Sequence, residues 1–156
     1  MPSKARLKAK NILGIAEGGT GATSMGAGAV GSVTQSASVP TGAIIETGSN
    51  ANGTYTKYAD GTLDCSFKAD GSSQAVTSAT GSLFQAGSEL TWTFPAVFIA
   101  TPVVTGNIAR NDATLVMGLF IRTVATNTVS YRIWSSLSIA AGNVKDVHLI
   151  AKGRWF

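Results

Sequence analysis

Side chains that do chemistry are scarce in this chain. Its 156 residues include one histidine, one cysteine and eight carboxylates, and charged residues make up only 13%. A single cysteine excludes an intrachain disulfide framework. Cys65 lies on the expected inward side of a strand, where a free thiol behaves as a small hydrophobe. His148 stands in a strand whose flanking Val147 and Leu149 take the opposite face, which predicts a solvated or interface residue rather than a triad base. The two together fall short of a metal-ligand set, so neither metal nor cofactor is expected. Asp60 and Asp64 are four apart, but Asp60 falls in a turn, and no carboxylate pair is set to flank a glycosidic bond. Gly18-Gly-Thr-Gly21 leads into neither a helix nor a Lys-Ser/Thr step, which rules out a phosphate-cradling loop. The expectation is a protein without enzymatic activity.

Long apolar runs are absent as well. None approaches the roughly 18–20 residues that span a bilayer, so no membrane insertion is expected. The basic leader Pro2–Lys10 is followed by no apolar segment of signal-peptide type. The formal net charge is +4, yet Lys4, Arg6, Lys8 and Lys10 supply four of the twelve basic residues. The remaining eight match the eight acids, so residues 11–156 sum to zero. Duplex binding needs a basic face on the folded body. No nucleic-acid partner is expected.

What the chain does have is glycine, small residues and alternation. Ile12, Leu13 and Ile15 form a short apolar cluster behind the basic leader. Seven of the 18 glycines fall between Gly18 and Gly42. A lone segment of this kind buries too little apolar area to offset its ordering entropy. It is either a flexible linker or a stretch that orders only against copies of itself. From Thr41 onward, strands alternate with turns. Asn52-Gly53 and Asp60-Gly61 favour the positive φ of tight hairpins. Leu63, Cys65 and Phe67 point one way, and Thr62, Asp64 and Ser66 the other. Residues 42–67 therefore predict a three-stranded meander.

Further strands are predicted at Leu83–Gln85, Leu90–Phe94, Val103–Ile108, Thr114–Thr123, Val129–Trp134 and Val144–Phe156. Pro95 and Pro102 each lack a ladder donor and bracket an edge or corner. The strand over 114–123 is apolar on both faces, with Leu115, Met117, Leu119 and Ile121 on one and Val116 and Phe120 on the other. Such a strand is central in a sandwich or faces another subunit. Strands of this length and spacing indicate an all-β, antiparallel β-sandwich.

The segment GAIIETGSNANGTYTKYADGTLDCSF resembles the opening of the C-terminal domain of bacteriophage tail-fibre and related virion fibre proteins. GIAEGGTGATS resembles the Gly-Gly-Thr-Gly-Ala-Thr element of phage fibre shafts and collars, and the terminal Arg154-Trp155-Phe156 is similar to phage fibre C-termini. The second half also resembles the H-type lectin domain. The matching features are Phe98-Ile-Ala-Thr-Pro-Val-Val104, the Arg110–Asp112 loop, the aromatic strand Val129–Trp134, and Leu149-Ile-Ala-Lys-Gly153. These likenesses imply a homotrimeric virion fibre or spike. Residues 1–17 would be a basic anchor, 18–40 an extended Gly/Ala-rich stalk, and 41–156 a β-sandwich head. A mean hydropathy of +0.21 also favours intertwined chains.

Under that reading the implied partners are the chain itself, another virion protein, and a host-surface glycan or other receptor. Lys4, Arg6, Lys8, Lys10, Ile12, Leu13 and Ile15 would anchor the fibre to the particle. Sugar recognition wants an aromatic face and planar polar groups. Asn107, Arg110, Asn111, Asp112 and Asn127, at strand ends and loops, are candidates for it. So are Arg132 and Trp134, which share the face of their strand opposite Tyr131. The alternative is a purely structural virion decoration or adaptor protein, with Trp134 packed in a subunit contact.

Overall fold

The computed structural model describes residues 29–71, 73–109, 116–144 and 146–156. The expected anchor residues and positions 18–28 of the expected stalk lie outside that set, as do Arg110, Asn111 and Asp112. Every named element is a strand: β1 (Gln35–Ser36), β2 (Val39–Pro40), β3 (Ile45–Asn50), β4 (Gly53–Tyr58), β5 (Thr62–Asp70) and β6 (Val76–Thr80) in the first half. The second half adds β7 (Leu83–Ala86), β8 (Leu90–Thr93), β9 (Val103–Ala109), β10 (Met117–Val124), β11 (Thr128–Ser135) and β12 (Asp146–Arg154).

They pair antiparallel into two five-stranded sheets and one small hairpin. The first sheet runs β3-β4-β5-β12-β9. The second runs β10-β11-β7-β6, and β8 pairs with the half of β11 that β7 leaves free. The meander β3-β4-β5 appears where the turn chemistry of Asn52-Gly53 and Asp60-Gly61 predicts it.

The sheets meet in a single core. From the first come Leu63, Cys65, Val147, Leu149 and Ala151, and from the second Trp92, Val129, Tyr131 and Ile133, all buried. Each large side chain so buried contributes about 1.5–3 kcal/mol. An aromatic run stitches the layers: Phe67 stacks on Trp92 at 5.7 Å, Trp92 meets Phe94 edge-on at 4.8 Å, and Phe94 meets Phe98 at 5.1 Å. Trp92 Nε1 donates to the Asn52 carbonyl at 2.8 Å, tying β8 to the β3–β4 turn. The C-terminal Trp155 closes the other end, its Nε1 donating to Tyr58 O at 2.9 Å.

Three features narrow or extend the sequence reading. Of the two places expected for a strand apolar on both faces, β10 does not take the centre; it is an edge of the second sheet. Met117, Leu119 and Ile121 pack on the core, while Phe120 stays outside. The segment between Pro95 and Pro102, expected as an edge or corner, is a corner: a loop from the second sheet to the first, fixed by Phe98 N donating to Thr126 O and Ile99 N to Arg154 O. Finally, β6 has no counterpart in the sequence reading. Only Val76 of its five residues is buried, so it lacks the alternation that marks a strand.

Ahead of β3 the chain lies along the first sheet. Gly31 N donates to Ile45 O, Ala43 N to Ser32 O, and Val33 is buried. Glu46 Oε2 accepts the Val33 N–H at 2.9 Å, and Oε1 accepts the Tyr55 hydroxyl at 3.0 Å.

Candidate functional site

Strand β11 alternates along its whole length: Val129, Tyr131, Ile133 and Ser135 are buried, and Thr128, Ser130, Arg132 and Trp134 face outward. This is the separation of Tyr131 from Arg132 and Trp134 that strand periodicity predicts. Cross-strand register then builds a surface around the outward pair. Gly118, Trp134 and Gln85 form one row across β10, β11 and β7, and Phe120 stands opposite Arg132 in the next. Trp134 and Phe120 stack at 5.9 Å with 30° between their planes. The indole reaches that position because residue 118 is glycine: a β-carbon there would sit 2.6 Å from Trp134 Nε1.

Beside the aromatic pair is a shallow depression of about 480 Å³ lined by Gln85, Phe120, Ile121, Arg122 and Thr123. It opens where β10 breaks register between Ile121 and Thr123. Arg122 is ion-paired with Glu89. Arg132 is half-buried, and its Nε finds no acceptor among the described residues. The surface thus combines two aromatic rings, two guanidiniums, an amide and a carboxylate. Phe120 is 46% exposed, and Val116 and Leu137 are exposed beyond it.

No family model, curated protein or solved structure matches this chain. The reading of this surface rests on its own chemistry. No group of three or more His, Cys, Asp or Glu able to hold a metal occurs among the described residues. Nor, among them, is any helix long and apolar enough to cross a membrane.

Of the residues singled out in the sequence, only Arg132 and Trp134 come together here. Asn107 lies on the outward face of β9 in the first sheet, opposite His148. Asn127 is exposed in the β10–β11 turn, where its carbonyl accepts the Phe94 N–H at 2.9 Å. Asn107 and the Arg132–Trp134 pair therefore belong to different sheets and do not form one site. Phe120, Gln85, Arg122 and Glu89 were missed. The alternation of β10 places Phe120 opposite Met117 and Leu119 in sequence, but its pairing with β11 is a long-range fact that alternation does not contain.

Burial governs the two titratable groups of the core. It pushes the Tyr131 hydroxyl up. The Cys65 thiol rises to about 11, chiefly through desolvation, with a weak contact to Ala96 O at 3.9 Å acting in the other direction.

Proposed function

We infer that this chain is a virion fibre or spike protein whose β-sandwich head attaches the particle to a host-surface glycan. The observation that carries the reading is the outward Phe120–Trp134 stack flanked by Arg132, Arg122 and Gln85. An aromatic plane accepts the apolar face of a sugar ring, guanidinium groups donate to its hydroxyl oxygens, and an amide both donates to and accepts from them. The likeness of residues 42–67 and of the Arg154-Trp155-Phe156 end to phage fibre proteins supplies the biological setting. Trimeric heads would convert weak single-site binding into firm attachment.

A second reading has one observation in its favour. Val116, Phe120 and Leu137 are exposed apolar residues on or next to the same edge of the second sheet. As a subunit contact they would serve a structural virion protein with no ligand site, since aromatics and Arg are also enriched at protein interfaces. A glycan array with the isolated assembly, run beside sedimentation of wild type and Trp134→Ala, decides between them. Loss of glycan binding with unchanged sedimentation supports attachment. Dissociation of the assembly, with no glycan bound by the wild type, supports the structural role.

A further inference from the structure

The β3–β4 hairpin is shorter than its neighbours. β4 begins at Gly53, paired near Ser66, whereas β5 continues to Asp70 and pairs there with the start of β12. The hairpin turn consequently forms a wall beside the part of β5 that β4 leaves unpaired, and together with β5 and β12 it lines an open depression of about 530 Å³. That volume falls in the range of small-molecule sites. The wall is held from behind. Asn50 Nδ2 donates to Pro95 O at 3.1 Å, Asn50 Oδ1 accepts the Asn52 N–H at 2.8 Å, and Trp92 Nε1 holds the Asn52 carbonyl. A site fixed this way has little ordering cost on binding.

Three kinds of group line the floor in sequence. Ile150 is 53% exposed and offers an apolar platform. Next to it, Thr54 Oγ1 and Ser66 Oγ are 2.7 Å apart. One hydroxyl donates to the other, which leaves one O–H and several lone pairs free to face a ligand. At the open end, Lys68 and His148 are cross-strand partners and both exposed. Lys68 Nζ lies 3.0 Å from Asp146 Oδ2, a contact that uses one of its three N–H donors.

We propose that this depression binds one saccharide residue carrying a single anionic substituent, a carboxylate or a phosphate. The substituent meets Lys68 and His148, ring hydroxyls meet Thr54 and Ser66, and the apolar ring face lies on Ile150. The site is on the opposite sheet from Phe120 and Trp134 and shares no residue with them. It rests on the attachment reading for its biological use, not for its chemistry. Asp146 competes with the ligand for Lys68, so removing that carboxylate should strengthen binding while removing the amine weakens it.

The test is an NMR titration of the full chain with methyl glucuronoside, glucose 6-phosphate, methyl glucoside and inorganic phosphate. At least one anionic sugar is expected to shift the signals of Ser66, Lys68, His148 and Ile150 and to bind about tenfold more tightly than methyl glucoside. Lys68→Gln should erase that advantage and Asp146→Asn should increase it, both side chains being solvent-facing and replaceable without loss of fold. Trp134→Ala should leave it untouched, which separates failure here from failure of the other surface. Equal binding of methyl glucoside, shifts confined to the Phe120–Trp134 face, or no shifts at all would overturn the proposal. Inorganic phosphate binding as tightly as glucose 6-phosphate would remove its saccharide part.

Discussion

Gly118 and Trp134 are register partners across β10 and β11, and the indole occupies the space a side chain at 118 would fill. A glycine on one strand and an aromatic on its partner are thus one structural unit, and the outward stack with Phe120 depends on it. Gly118→Ala should push the indole away from the sheet at an overpacking cost of about 1–3 kcal/mol. Calorimetry should show the lower Tm, and tryptophan fluorescence a more solvated indole. An unchanged spectrum would mean that the close approach does not position Trp134.

Glu46 links the segment ahead of β3 to the sheet. Partial burial raises its carboxyl's pKa, but the hydrogen bonds from the Val33 N–H and the Tyr55 hydroxyl, with the charge of Lys57, outweigh it, and the net shift is below the ordinary 4.5. A carboxylate with a lowered folded pKa adds stability that is complete above its unfolded value and fades as pH falls through the folded one. Glu46→Gln should therefore cost about 1–3 kcal/mol at pH 7. Melting curves of wild type and variant should begin to converge as pH falls below the ordinary 4.5 and meet once it has passed through the lowered folded value. Parallel curves across that range would rule out Glu46 as the source of the pH dependence.

Cys65 is buried with its thiol pushed up to about 11. Since the thiolate is the reactive form, native protein at pH 8 should resist a thiol-specific reagent that labels the denatured chain at once. Rapid labelling of folded protein would show that the two sheets open locally around β5.

Two glycines with positive φ should respond unequally to alanine. Gly81 (φ +61°) has open space around its missing side chain, so the cost is the left-handed backbone alone, about 1–2 kcal/mol. Gly53 (φ +122°) faces the Ser66 carbonyl oxygen, which a β-carbon would overlap. Urea denaturation should place Gly53→Ala lower than Gly81→Ala by more than about 1 kcal/mol. Equal midpoints would show that β5 yields to the added carbon.

Short-range chemistry decided much of this protein in advance. Asn52-Gly53 and Asp60-Gly61 demand tight turns, and Leu63, Cys65 and Phe67 demand one face, so the meander follows from neighbours a few residues apart. The same rule turned Tyr131 inward and Arg132 and Trp134 outward. What local pattern cannot carry is which strands lie side by side. The alternation of β10 shows two apolar faces but not that the strand would end at a sheet edge, because edge or centre depends on partners distant in sequence. Nor does it bring Phe120 and Gln85 to Trp134, or His148 to Lys68. Those meetings are created by register between strands up to 80 residues apart, and only the packing of one sheet on the other selects that register, since a slip of one residue would turn every buried side chain out to water.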